Sequence, residues 1–303
     1  NNVAIGGNAL NGATTVGNQT AVGHMALQSL TSGTANTALG YQAGKATTTG
    51  GSCVFIGHNA GLSNTTGVRN HCIGQAAGLS LTTGDDNIFI GEGAGYPGTT
   101  GNGNTVVGSL GARNLTTGHS NTAMGQNALV AITEGTENVI MGGSAGASIT
   151  TGTNNVCLGA RSGLVNQPGG AITTGDNQIA IGDSSSANAH IQIDWTVASD
   201  KRDKTDVTPL DMGLSFINKL EPVTYKWDKR AKYEEGETPD GTHKESWTDV
   251  GFLAQDVEEI EAEFGHKIED ETNLTTHMSE DESRYGLTYA KFIPMLVKSV
   301  QEL

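Results

Sequence analysis

The chain has 303 residues and a formal charge of −15, with 43 glycines, 6 prolines and only 5% aromatics. So little proline, with no Gly-x-y period, excludes collagen, and an apolar content of 36% argues against a doubly wound enzyme core. The acidic balance argues against a nucleic-acid partner, and no apolar run is long enough to span a membrane.

Three cysteines, Cys53, Cys72 and Cys157, form neither a disulfide framework nor a zinc-ligand spacing, so they read as free, packed thiols. No cofactor and no metal is expected. The chain opens on Asn1 without a secretory leader and reads as a piece of something longer. Composition breaks near residue 198. Residues 1–198 hold 37 of the glycines and 12 charged side chains, whereas residues 199–303 hold 6 glycines and 37 charged side chains. One core would not be written in both styles, which places a domain boundary there. The expected division is 1–182 for repeats, 183–198 for an exit strand and linker, and 199–303 for a second domain.

The first part repeats every 17 residues. Gly6, Gly23, Gly40 and their successors run at that spacing to Gly159, and an eleventh copy follows after six extra residues around Gln178 and Gly182. Four residues before the glycines stand mostly asparagines, from Asn2 and Asn36 to Asn155. One residue before stand Ile5, Val22, Leu39, Ile56 and so on, and two before stand small or apolar residues such as Ala38, Phe55 and Phe89. The five residues before each glycine are strand-length, and the TTG-type segment after them is a turn signal. Each repeat is therefore predicted to be one coil of a parallel β-solenoid. Alternation puts the positions one and three before the glycine on one face and those two and four before it on the other. Both faces look suited to burial. One can fill the coil, and the other needs a second surface. The asparagines are expected to form a hydrogen-bonded ladder.

The repeat resembles the NxAIGxxA-type β-roll heads of trimeric autotransporter adhesins and, more closely, the glycine-rich repeats of phage tail fibres. Those are trimers, an arrangement the two apolar faces favour independently. Calcium-binding rolls need GGxGxD copies, and this half has only eight acidic residues. An ice-binding face could use Thr65–Thr66 and Thr82–Thr83, but these lie in turns with variable neighbours. A structural shaft accounts for the pattern best.

Ile191, Ile193 and Trp195 alternate as an exit strand would. Beyond them a mixed α/β domain is predicted. A helix runs from Thr208–Pro209 to Leu220, a strand covers 222–227, and a charged loop or hairpin covers 228–248. A strand then passes into a helix ending near Gly265, on which Asp256, Glu258, Glu259, Glu261 and Glu263 form the solvated face. Residues 266–284 are a polar stretch, YGLTY is a strand, and Ala290–Leu303 is amphipathic. Its Ile293, Leu296, Val297, Val300 and Leu303 could begin a self-association seam.

The segments SDKRDK, LEPVTYKW, VGFLAQDVEEI and YGLTYAKFIPMLVKSVQEL resemble the C-terminal intramolecular chaperone, or auto-processing, domain of phage tail spikes and fibres, endosialidases included. The resemblance implies a trimeric chaperone that assembles the preceding fibre and then cuts itself off. It carries the family's Ser-Asp-x-x-x-Lys motif onto Ser199, Asp200 and Lys204, with Ser199 as nucleophile, Lys204 as base and Ala198–Ser199 as the scissile bond. Asp200 and Arg202 match supporting positions. Asp203 replaces an apolar residue, and a carboxylate beside a lysine favours its ammonium form, against a basic role. The implied setting is a virion tail fibre or spike, assembled in the host cytoplasm, with the chaperone domain released after cleavage. Partners are two sister chains in a homotrimer and a host-surface receptor or glycan. The alternative is a receptor- or glycan-binding or -degrading β-solenoid adhesin with the same maturation domain. A hydrolase would need paired carboxylates, and the eight acids are scattered.

Overall fold

A computed structural model describes residues 1–12, 16–98, 100–164, 170–186, 189–192, 196–233, 237–279, 282 and 284–303. The chain divides into two compact units, one through Asp183 and one from Ser184.

The first unit is a parallel β-solenoid. Its strands are β1 (Asn2–Ile5), β2 (Gln19–Val22), β3 (Thr37–Leu39), β4 (Val54–Ile56), β5 (His71–Ile73) and β6 (Ile88–Ile90). They continue through β7 (Thr105–Val107), β8 (Thr122–Met124), β9 (Val139–Met141), β10 (Val156–Leu158) and β11 (Ile179–Ile181). All eleven join one sheet in chain order. Equivalent residues pair from rung to rung, as in Ile90↔Val107 and Val107↔Met124. The six-residue insertion is absorbed before β11, where Val156 pairs with Ile179.

Strands are three or four residues long, shorter than the five predicted, because both ends turn. At the far end the repeat glycine takes a positive φ, +146° at Gly108, where a Cβ would lie 2.2 Å from the Gly125 carbonyl oxygen. A side chain there would strain the turn and push successive coils apart. At the near end the asparagine turns into the coil. Asn87, Asn104, Asn121 and Asn138 are fully or almost fully buried. Each Oδ1 accepts from the backbone N–H of the equivalent residue one coil on, at 3.0–3.1 Å. Each Nδ2 donates to a glycine carbonyl of the next coil, at 2.8–3.0 Å. The expected ladder is present. It satisfies backbone groups that a three-residue strand leaves open.

The interior has more columns than the strand pattern announces. Besides the position two before the glycine, most of the alanines three residues after it are buried, as are most residues four and seven after it, such as Leu27, Leu129, Leu81 and Ile132. In several coils, bulk at the position two before and at that four after is inversely matched. Ala21 faces Leu27 and Ala123 faces Leu129, whereas Phe55 goes with Gly61 and Phe89 with Gly95. A Cβ on Gly61 would lie 2.2 Å from the Phe55 ring, and one on Gly95 would lie 2.5 Å from the Phe89 ring. Close packing in a coil one side chain thick leaves no other choice. Cys53, Cys72 and Cys157 are free and buried here, and burial pushes the Cys53 and Cys157 thiols up to about 11. The turn threonines are used between coils, as where Thr65 Oγ1 donates to the Thr82 carbonyl at 3.0 Å.

The other sheet face stays open among the described residues of this unit. Phe89 is 1% exposed, but its neighbour Ile90 is 36% and Leu39 is 48% exposed.

The second unit holds α1 (Leu214–Ile217), β12 (Val223–Tyr225), β13 (Asp249–Gly251), α2 (Ala254–Glu263), β14 (Thr276–Met278), β15 (Tyr285–Leu287) and α3 (Phe292–Glu302). β12 pairs antiparallel with β13, and β14 with β15. Met212, Phe216, Val257, Phe292 and Met295 form the core. Ile193 and Trp195 of the expected exit strand lie outside the described residues, and their neighbour Ile191 is not in a strand.

Three expectations need correction. The helix predicted over 208–220 is the single turn α1. Gly213 interrupts the backbone ahead of it, and the carboxylate of Glu302, at the end of α3, accepts from the Leu214 N–H at 2.7 Å. The polar stretch 266–284 contains strand β14. Glu261 is not on the solvated face of α2 but fully buried. Its carboxylate accepts from the Thr275 N–H at 2.6 Å and hydroxyl at 2.5 Å, and from the Thr276 hydroxyl at 2.6 Å. A buried carboxylate persists only with such partners. Glu261→Ala should therefore lower the stability of this unit by about 3 kcal/mol, read from its urea midpoint. An unchanged midpoint would show that the threonines find other partners.

Candidate functional site

Five residues of extended chain would hold Ser199 and Lys204 about 17 Å apart. A tight turn closes that gap. Asp200 Oδ1 accepts from the Arg202 N–H at 2.9 Å and caps a 3-10 turn over Lys201–Asp203. The Asp203 N–H then donates to the Asp200 carbonyl at 3.2 Å and the Lys204 N–H to the Lys201 carbonyl at 3.3 Å. The Arg202 guanidinium folds back onto the Asp200 carboxylate, with Nη2 2.6 Å from Oδ2. Hydrogen bonds from the Arg202 side chain, and then from its backbone, hold the Asp200 carboxyl below the usual carboxylate range. Aspartate suits this role because its short side chain reaches the free N–H groups of a first turn.

The turn directs Lys204 back along the chain. Its Nζ donates to Ser199 Oγ at 2.6 Å. Among the described residues no carboxylate, that of Asp203 included, stands within 4.0 Å of Lys204 Nζ as an ion-pair partner. Ala198, Ser199, Asp200, Arg202, Asp203 and Lys204 are all exposed. Asp200, Arg202, Asp203 and Lys204 thus lie on one short turn, Ala198 and Ser199 lead into it, and the serine and lysine touch.

This pair has the elements of nucleophilic chemistry. A serine hydroxyl is a weak nucleophile until a base takes its proton. The contact in which the ammonium donates to Oγ becomes, with a neutral amine, the path by which Oγ loses that proton. Lysine acts so when water is removed from it or positive charge stands near, and in the single chain Lys204 is exposed. The Asp200–Arg202 clasp, which sets the geometry, was not foreseen from the motif. Its signal was present, as aspartate two residues before arginine at the mouth of a turn.

Among the described residues, no group of three or more His, Cys, Asp or Glu side chains could hold a metal ion, and no helix is long and apolar enough to cross a membrane. Comparison with known families matches residues 199–266 to the family described as chaperone of endosialidase. The match begins at Ser199 and ends before β14. No curated protein and no solved structure matches the chain.

Proposed function

We propose that residues 199–303 are a self-removing assembly domain, and that residues 1–182 are the shaft of a trimeric fibre of the tail-fibre or tail-spike type, joined to it by 183–198. The observation that carries this reading is the 2.6 Å contact between Lys204 Nζ and Ser199 Oγ, at the first residue of the segment similar to the endosialidase chaperones.

In the proposed reaction Lys204 takes the proton of Ser199 Oγ as that oxygen attacks the carbonyl carbon of Ala198. The peptide C–N bond breaks, the amine leaves with the proton that Lys204 returns, and Ala198 is held as an ester. Water hydrolyses the ester. The products are a new carboxylate at Ala198 and a free hydroxyl on the attacking serine, with the amine of Ser199 as a new N-terminus. The attacking hydroxyl belongs to the same chain or to a neighbour in the trimer.

The order of domains has a physical motive. Parallel coils from three chains must align before contacts repay the entropy of alignment. Near-identical 17-residue repeats invite slips by a whole coil. A trimeric domain at one end sets the alignment, and its removal leaves a fibre whose stability is kinetic. In this setting the completed fibre belongs to a virion tail and faces a host-surface receptor or glycan.

Mass spectrometry of the purified full-length chain tests the reading. Two fragments are expected, divided at Ala198–Ser199, with the smaller beginning at Ser199. A single intact chain in a folded, trimeric preparation would remove self-cleavage from the proposal.

A further inference from the structure

The side-chain ladder of the solenoid is broken at one place. Each coil is counted here from its ladder residue, as in Asn36–Ser52 and Cys53–Arg69. At nine of the ten junctions, the first N–H of the later coil donates to a side-chain oxygen of the coil before it, at 2.9–3.1 Å. Gln19 serves as well as asparagine, accepting from the Asn36 N–H at 3.0 Å. The tenth junction joins the coil of Cys53 to that of Asn70. There the Asn70 N–H meets the Cys53 sulfur, a weak acceptor beside an amide oxygen. Asn70 is fully buried, and a poorly served N–H away from bulk water is costly.

The coil of Cys53 carries a partial repair. Seven residues after the repeat glycine, where other coils bury Leu30, Leu81, Leu115, Ile132 or Ile149, it buries Asn64. Asn64 Nδ2 donates to the Gly67 carbonyl at 3.1 Å, and Asn64 Oδ1 accepts from Asn70 Nδ2 at 3.3 Å. In the regular ladder both bonds belong to the residue at the Cys53 position. Asn104 Nδ2, for example, donates to the Gly118 carbonyl at 3.0 Å, and Asn104 Oδ1 accepts from Asn121 Nδ2 at 3.1 Å. The amide has changed places in the coil and kept these two bonds, but it has lost the bond to the next backbone N–H. Two other buried polar atoms lack a protein partner, Thr47 Oγ1 in the coil before and Asn59 Oδ1 in the coil of Cys53. Among the described residues of the solenoid they are the only buried side-chain atoms in that state. Imperfect polar pairing thus gathers in two adjacent coils.

We propose that the junction between the coils of Cys53 and Asn70 is a built-in opening point, where the interior of the solenoid separates first. A stack of coils is held together junction by junction, so opening at one of them costs what that junction holds. Local opening free energies differ across a structure for this reason. The other junctions keep a complete ladder, whereas this one replaces an amide oxygen with sulfur and has unpaired polar atoms beside it. The strands still pair across it, from Val54↔His71 to Ile56↔Ile73, and Asn64 restores part of the ladder. The junction is therefore closed in the native state and weaker than its neighbours. The inference concerns contacts within one chain and does not depend on the number of copies.

Hydrogen exchange of the full-length chain, read residue by residue by mass spectrometry, tests it. The Val54 N–H donates across this junction to the Asn70 carbonyl at 2.9 Å, and the Gly74 N–H to the Ile56 carbonyl at 2.7 Å. Their equivalents across an unbroken junction are the Thr105 and Gly125 N–H groups, both at 2.8 Å. With intrinsic rates corrected for, Val54 and Gly74 should exchange about tenfold faster than Thr105 and Gly125, together with Asn70. Equal protection at the two junctions would overturn the proposal. Fast exchange at Asn70 alone would also overturn it, by reducing the break to one weak bond. Cys53→Asn combined with Asn64→Leu rebuilds the arrangement that Asn70 and Leu81 have one coil on. This pair should slow Val54 and Gly74 to the level of Thr105 and Gly125. Cys53→Asn alone should gain less, because Asn64 already holds the Gly67 carbonyl. A double variant of parental native mass with unchanged exchange at Val54 and Gly74 would reject the ladder break as the cause. Should the double variant not fold, the comparison of the two junctions within the parent still decides.

Discussion

Ser199→Ala is expected to give one full-length chain where the parent gives two fragments. The substitution removes one hydroxyl from an exposed turn, so it takes away the nucleophile and almost no packing. Folding and native mass should stay as in the parent. Lys204→Arg is the sharper companion. Arginine can keep a hydrogen bond to Ser199 Oγ, and it keeps the charge, but it cannot give up its proton in a protein. A base role predicts that cleavage slows by about 10²–10⁴-fold. A merely electrostatic role predicts near-parental cleavage. Intact mass against time for parent, Ser199→Ala and Lys204→Arg separates these cases. Fragments of unchanged size and rate from Ser199→Ala would reject the serine as nucleophile.

Asn104→Asp is expected to damage the solenoid strongly for so conservative a change. Asn104 Nδ2 donates to the Gly118 carbonyl at 3.0 Å and to Asn87 Oδ1 at 3.1 Å. In a buried carboxylate at this position the oxygen that replaces Nδ2 would face two acceptors. A cost of about 3–5 kcal/mol at neutral pH is expected, the usual penalty for an uncompensated buried charge. The pH dependence follows from the sign of the effect. Burial raises the folded-state pKa of this aspartate above its unfolded value of about 3.9, because only the protonated acid can donate as the amide did. The variant should approach parental stability below about pH 4 and lose it as the pH rises through the folded-state pKa. Thermal melts of variant and parent at matched pH provide the test. A difference between them that does not change with pH would mean that the ladder tolerates a charge.

The solenoid was legible because its signal is arithmetic. A 17-residue spacing over ten copies, with glycine, asparagine and an apolar pair at fixed offsets, specifies one coil per repeat and one strand per coil. The buried columns four and seven residues after the glycine were less visible, since leucine, glycine, threonine and asparagine share them and no single residue type marks the position. The second unit shows where local reading stops. Thr208–Pro209 has the form of a helix start, yet α1 begins at Leu214 because its first N–H is capped by Glu302 from the far end of the chain. Glu261 has the composition of a solvated helix face, and only the threonines that reach it from before β14 and from its first residue make it a core residue. Both depend on partners distant in sequence. The serine and lysine of the candidate site were named through a family motif. That Asp200 and Arg202 bend the chain to bring them together is a matter of geometry that the motif does not state.

The inverse matching of bulk inside the coils bears on how such a fibre could lengthen over generations. Phe55 and Gly61, Phe89 and Gly95, and Ala123 and Leu129 each lie within one 17-residue unit. Duplication of a whole unit in the gene copies a residue together with the space it needs, so an inserted coil arrives already fitted. A point change at either partner has no such protection and needs a second, compensating change. Two junctions depart from this rule. A Cβ on Gly44 would lie 2.4 Å from the ring of Phe55, and one on Gly78 would lie 3.0 Å from the ring of Phe89, each ring belonging to the following coil. Duplications that place a leucine-bearing coil directly ahead of Phe55 or Phe89 should be rare among descendants of this gene, whereas duplications elsewhere in the shaft should accumulate more freely.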